Sequence, residues 1–234
     1  MTQWSSASVT EIGERNTNED ALLEEPELRL WAVADGLGGH RHGEVASATA
    51  LHALKSAVLA GNGLAEAVAA ANRATWREAR KRGSDMGTTV VALRLHPATF
   101  EVAWLGDSRG YHWDGARLTQ LTTDHTEVQE WVEQGRLVPD QARAHPYGHV
   151  LTRALGLEPE VAVDTREGSL TGSELFLLCS DGLTDTLGSD RMAEVIRANG
   201  PAALPTTLCR AALAAGNPYQ DNLTAVAVWP RGTP

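Results

Sequence analysis

The chain predicts an α+β fold in which antiparallel sheets carry helices on their outer faces. Three observations lead there: helical patterns come in adjacent pairs, apolar patterns of period two come in hairpins, and no change of composition marks a linker. The strict strand–helix alternation of a doubly wound parallel sheet does not fit this order. A first strand is expected over 28–34, short, apolar and closed by Asp35-Gly36. A helix is expected over 44–59, with Val45, Leu51, Leu54 and Val58 at helical spacing. Gly61-Asn62-Gly63 ends it. A second helix over 64–82 carries basic residues in its last turn and Gly83 behind them, a stop signal. The period then changes to two. Strands over 88–95 and 99–105 flank His96-Pro97-Ala98, and strands over 110–113 and 116–118 flank the turn pair Asp114-Gly115. A helix over 125–134 stops at Gly135, and Pro139 can open another short one. Strands over 161–166, 174–179 and 223–229 follow, with helices near 190–199 and 202–215 between the last two.

The 234 residues suit a single domain spanning 1–234. Acidic residues outnumber basic ones 30 to 20, a formal charge of −10, which disfavours nucleic acid or an anionic membrane surface as partner. An anionic substrate stays open if something other than Lys and Arg supplies positive charge. Two cysteines, Cys179 and Cys209, make neither a disulfide framework nor a structural zinc site. Apolar stretches fall short of the ~18–20 residues of a membrane span, and the polar N-terminus lacks the features of a signal peptide. A cytoplasmic protein is expected.

Several aspartates stand beside glycine or asparagine at the ends of apolar strands: Asp35-Gly36, Gly106-Asp107, Asp181-Gly182 and Asp221-Asn222. Such a position fixes a carboxylate with little side chain in the way, as hard divalent cations require of oxygen ligands. Any one Asp-Gly pair is first of all a turn. Periodicity alone does not decide between the two.

An ordered set of segments does. RNTNED at 15–20, VADGLGGHRHGEVAS at 33–47, MGTT at 86–89, LGDSRGY at 105–111, LTQLTTDHT at 118–126, HPYGHVLTRALG at 145–156, LLCSDGLTD at 177–185 and DNLT at 221–224 resemble the motifs of the bacterial type-2C metal-dependent protein phosphatases. The resemblance runs from about Arg15 to Val228. It implies a four-layer α-β-β-α sandwich, two packed antiparallel sheets flanked by helices. It also implies hydrolysis of phosphoserine and phosphothreonine on proteins by a hydroxide bridging two Mn²⁺ or Mg²⁺ ions, with a third ion in some bacterial members.

Residue roles follow from the same resemblance. Asp35 matches the bridging aspartate and the Gly36 carbonyl a ligand of one ion. Asp181 and Asp221 match the remaining carboxylate ligands. Asp124 matches the ligand of the third site, shared with Asp181. Glu19 and Asp20 match residues that hold metal-bound waters or the first motif. Arg15 matches the arginine that grips phosphate, for which its planar fork suits it. Read without the resemblance, Arg15 would pair with Glu11 or Glu19, and Asp124 would cap the helix near His125. Eukaryotic members carry a histidine where this chain has Leu37, so that proton donor is missing. His40 lies nearby as a candidate donor, with a structural role the stronger expectation. The segment over 131–147 corresponds to a flap of variable sequence. Cysteine phosphatases need an arginine where this chain has Asp185 after Cys179 and Ala215 after Cys209, so both thiols are expected in the core, with the seven tryptophans. The implied partners are phosphorylated proteins, namely a Ser/Thr kinase and its substrates, and the expected state is a monomer. The segment ALLEEPELRLWAVADGLGGH points to the short subgroup associated with type VI secretion. A phosphoprotein-binding module without turnover is the alternative, and the loss of a metal aspartate would mark it.

Overall fold

The computed structural model describes residues 3–37, 42–143 and 145–232, the side chains of 140 and 143 excepted. It is an α+β sandwich of four layers. The first sheet contains β1 (Trp4–Glu11), β7 (Arg109–Trp113), β8 (Leu118–Gln120), β10 (Leu175–Cys179) and β11 (Leu223–Pro230), in the order β1-β11-β10-β7-β8. The second contains β2 (Asp20–Glu25), β3 (Leu30–Leu37), β5 (Val90–Leu95), β6 (Thr99–Leu105) and β9 (Asp164–Ser169), in that order, with the two-residue β4 (Gly87–Thr88) also on β3. Every pairing is antiparallel.

The central strands β3, β5, β10 and β11 read as near-continuous apolar runs because both of their faces are covered. On β3, Trp31 and Val33 point between the sheets while Leu30, Ala32 and Ala34 point outward. The outward set packs on α1 (Gly43–Leu59) and α2 (Leu64–Arg82) through Leu51, Leu54, Leu64 and Val68. On β10, Phe176 and Leu178 enter the layer between the sheets. Leu175, Leu177 and Cys179 face α6 (Ser189–Ala198) and α7 (Leu204–Leu213). The inter-sheet layer is closed by Val91, Leu93, Phe100, Val102, Trp104, Val226 and Val228. Four tryptophans, Trp31, Trp104, Trp113 and Trp229, are core residues. Both cysteines are buried and free, and burial pushes the Cys209 thiol up to about 12 and Cys179 higher still, so neither is a ready thiolate. No described helix is long and apolar enough to cross a membrane.

Gly83 ends α2 in the left-handed conformation (φ 61°), as the basic last turn and glycine predict. Three expectations shift. The strands β1 and β2 were not foreseen, because WSSASVTE and DALLEE are polar edge sequences, half-buried along most of their length. The strand expected over 161–166 begins later, at Asp164, since Val161 and Val163 pack against the helical layer from a loop. The helix expected from His125 is α3 (Glu127–Glu133), and its cap is Thr126, whose hydroxyl accepts from the Gln129 amide at 3.3 Å. Asp124 therefore is not the cap. The short helix opened by Pro139 is α4 (Pro139–Arg143). One further turn of helix, α5 (Asp181–Thr184), follows β10 directly.

Candidate active site

The strand ends at one edge of the sandwich open into a cleft of about 1770 Å³. Arg15, Glu19, Asp35, Gly36, Asp124, Asp181 and Asp221 all line it, and Asp107 and Asp185 join them. Two sheets supply these groups. Asp20 starts β2 opposite Asp35 on β3, and Asp181 and Asp221 stand beside β10 and β11.

The local backbone is drawn tight to bring them together. The Asp35 amide donates to Thr89 Oγ1 at 3.0 Å, while Thr88 Oγ1 and the Thr89 amide donate to the Asp35 carbonyl, each at 2.8 Å. The MGTT segment is thus the clamp on Asp35. The Gly36 amide donates to the Glu19 carbonyl at 3.1 Å. A Cβ on Gly36 would lie 2.3 Å from the Gly43 carbonyl oxygen, so only glycine lets α1 approach here. At Gly182 a Cβ would lie 2.1 Å from the Asn222 carbonyl oxygen, which fixes Asp181 against Asp221. Asn222 ties the β1–β2 loop to β11: its Oδ1 accepts from the Glu19 amide at 2.8 Å, and its Nδ2 donates to Ile12 and Thr17 carbonyls.

The charges are unbalanced. Burial raises Asp35 well above the usual carboxylate range, and the neighbouring Asp181 and Asp20 charges raise it further. Asp181 is raised as well, by burial first and then by the Asp221 charge. Burial takes Asp20 to about 7, against the opposing hydrogen bonds of Thr224 and Ser180, the latter at 2.7 Å. Asp107, 8% exposed, is raised well above its ordinary value by burial and then by the charges of Asp181 and Asp124. Glu19 is raised by burial and by Glu44 and Asp221. Asp20 Oδ1 and Asp181 Oδ1 are buried with no hydrogen-bond partner. Carboxylates packed this way, with orphaned oxygens and no cation beside them, fit divalent cations: hard ions take oxygen ligands and would relieve the repulsion.

Arg15 stands at the rim, 56% exposed, with Nη2 2.6 Å from Asp221 Oδ2. Its partner is thus neither Glu11 nor Glu19. Asp124 is placed differently from the other aspartates. Both of its oxygens accept from the Arg109 guanidinium, at 2.6 to 3.0 Å, and Gln120 adds a third donor at 3.1 Å. Asp107 lines the same cleft with no ion pair to it among the described residues, and burial and then the Asp181 charge raise it. Sequence reasoning noticed Asp107 as a strand-end aspartate but gave it no role. It missed Asp185 and His149 altogether. His149 Nδ1 lies 3.3 Å from Asp185 Oδ2. Among the described residues His149, Asp181 and Asp185 form a group whose ligand atoms lie within 4.8 Å of one another. The available signal was position: Asp185 follows Asp181 by one helical turn. His40 lies outside the described residues.

The segment over 131–147, matched to a flap in the sequence, lines the cleft through Val132, Pro139, Ala142 and His145. Trp131, His145 and Tyr147 pack edge-on and tilted around one another, with ring centroids 5.2 to 6.1 Å apart. Beneath it, the Gly106 amide donates to His125 Nδ1 at 3.1 Å, so the ring carries its proton on Nε2 and offers it to Asp164 Oδ2 at 3.2 Å.

Comparison with known proteins agrees with this geometry. The family model described as protein phosphatase 2C matches residues 10–213. The serine/threonine protein phosphatase PstP of Mycobacterium tuberculosis is 37% identical over 221 residues, 91% of this chain, which spans 42% of that relative's length. The catalytic domain of PstP, solved in complex with two manganese ions, superposes with a TM-score of 0.85 at 33% identity, covering 96% of this chain and 97% of that one. PppA, described as a key regulatory component of the type VI secretion system in Pseudomonas aeruginosa, gives 0.84 at 32%, covering 98% of both chains. The chain belongs to the protein phosphatase 2C family.

Proposed function

We propose that this protein is a metal-dependent phosphatase that hydrolyses phosphoserine and phosphothreonine on proteins, using Mn²⁺ or Mg²⁺. The observation that carries the reading is the set of buried carboxylates, Asp20, Asp35, Asp107 and Asp181, that converge without a cation of their own. Asp35, the Gly36 carbonyl, Asp181 and Asp221 would hold two ions, with Asp20 and Glu19 beside them. For a third, Asp124 with Asp181 is the pair the resemblance gives; Asp124 already meets Arg109, and Asp107 lines the same cleft. Divalent ions bound there supply Lewis acidity and lower the pKa of coordinated water.

The residues of the chain do the remaining work. Arg15 exchanges its single contact with Asp221 for two phosphate oxygens and offsets charge that grows on them as the P–O bond breaks. The Thr88–Thr89 clamp keeps Asp35 fixed while that happens. Water is consumed, and the products are the free hydroxyl side chain and inorganic phosphate.

Several finer readings go with it. The whole of 1–234 acts as one catalytic domain, opposing a Ser/Thr kinase whose substrates it dephosphorylates. The two buried free thiols support a reducing, cytoplasmic location, and the charge of −10 supports a monomer. The likeness to PppA supports a role beside type VI secretion.

The test is metal removal. Chelator-treated protein should not hydrolyse a phosphothreonine peptide, and added Mn²⁺ or Mg²⁺ should restore turnover. Full activity in chelator overturns the reading.

A further inference from the structure

We infer that Tyr219 is a specificity-determining residue that contacts an apolar side chain flanking the phosphorylated residue of a protein substrate; the inference rests on the phosphatase reading above. Tyr219 is 85% exposed, the most open large apolar side chain among the described residues. It lines the same cleft as Arg15, Asp181 and Asp221, two positions before Asp221.

An exposed ring on a loose loop would mean little, but this loop is fixed. The Tyr219 amide donates to Asn217 Oδ1 at 3.0 Å and the Gln220 amide to the Asn217 carbonyl at 3.2 Å, a turn with Pro218 at its second position. Gln220 is 3% exposed and anchors the turn from below. Its Nε2 donates to the Gly182 carbonyl, and its Oε1 accepts from Thr186 Oγ1, both at 2.8 Å. The Glu14 amide donates to the Gln220 carbonyl at 2.9 Å. The backbone that carries the ring is thus tied to the ends of β1, α5 and β11, the elements that also set Arg15, Asp181 and Asp221. A tyrosine held in advance loses little freedom on binding, which is why such side chains dominate recognition surfaces.

The cleft is built for more than phosphate. Its volume of about 1770 Å³ exceeds the ~300–1,000 Å³ of ordinary small-molecule sites. Val128, Val132 and Leu151 line it as well, so apolar surface runs beyond the carboxylates. The occupant that suits such a cleft is the polypeptide on either side of the phosphorylated residue.

The experiment uses the whole protein with Mn²⁺ and a set of phosphothreonine peptides. Each carries Leu at one of the flanking positions, against an all-Gly reference. The wild type should favour one Leu position by about tenfold in kcat/KM, as one apolar contact at an open rim allows. In Tyr219→Ala that preference should collapse to about one, chiefly through KM, and in Tyr219→Phe it should persist. A preference kept by Tyr219→Ala, or no preference in the wild type, overturns the inference while leaving the phosphatase reading intact. A wild type that hydrolyses none of the peptides overturns both.

Discussion

The aspartates in and around the cleft fall into two sets that are treated in opposite ways. Asp124 receives a fork of hydrogen bonds from Arg109, and the two side chains are only 14% and 25% exposed. Asp164 takes two from Arg153 and one from His125, and the Arg153 hydrogen bond, the main cause, holds it below the ordinary carboxylate range. Asp20, Asp35, Asp107 and Asp181 have no such cation, and all four are raised. The first set is complete as folded. The second is complete only when positive charge arrives from outside. A carboxylate's role in this protein is therefore told less by its burial than by whether the chain provides its counter-charge.

The largest test of that contrast is Asp35→Asn. Turnover of a phosphothreonine peptide should fall at least ~10³-fold, since ion binding and charge stabilisation are lost together. In chelator the same variant should melt at a higher temperature than the wild type, because an amide replaces a buried carboxyl crowded by Asp181 and Asp20. A lower melting temperature in chelator would break the comparison.

Asp124→Asn should do the reverse. It leaves Arg109 buried without its carboxylate, where burial already works against the charge that Tyr111 and Asp124 otherwise uphold. Denaturant unfolding should show a loss of about 3–5 kcal/mol, with or without metal.

Acidity separates the sets more gently. Asp20 titrates at about 7 and Asp185 at about 6 in the folded chain, against an ordinary 3.8. Between those limits the folded state binds more protons than the unfolded one. The contribution of these two groups without ions is therefore full below about pH 4 and falls as the pH rises towards 7. Melting of chelator-treated protein at pH 5 and pH 8 should show the decline, and saturating Mn²⁺ should flatten it.

The smallest effect is expected at Arg153→Gln. That pair is 38% exposed on both sides, and the loss should stay below ~1 kcal/mol in the same unfolding experiment.

Much of this architecture is legible in the chain, and the parts that are not share a reason. The helices α1 and α2 and the strands β3, β5, β6, β10 and β11 declare themselves because their burial imposes period or continuous apolarity. The edges β1 and β2 do not, since an edge strand needs little apolar surface. Asp35, Asp181 and Asp221 stand out by closing apolar runs and by their motifs. Asp107 also closes one, yet its place beside Asp181 needs the two sheets to be packed. The grip of Arg109 on Asp124 depends on the pairing of β7 with β8, which brings the segment after β8 back beside Arg109. The mounting of Tyr219 depends on Gln220 reaching Gly182 and Thr186, contacts that no local pattern announces.

One feature reaches further than the site. Asp20 and Asp35 ride on one sheet and Asp181 and Asp221 on the other, and the layer of Trp31, Phe100, Phe176 and Val226 keeps the sheets at their separation. That layer is in effect a gauge block for ion radius. Mg²⁺ demands ligands at ~2.0–2.1 Å and tolerates little error, whereas larger ions accept ~2.3–2.6 Å. Trimming or enlarging a side chain of that layer, Phe176 for one, would therefore shift the spacing of these carboxylates across the two sheets.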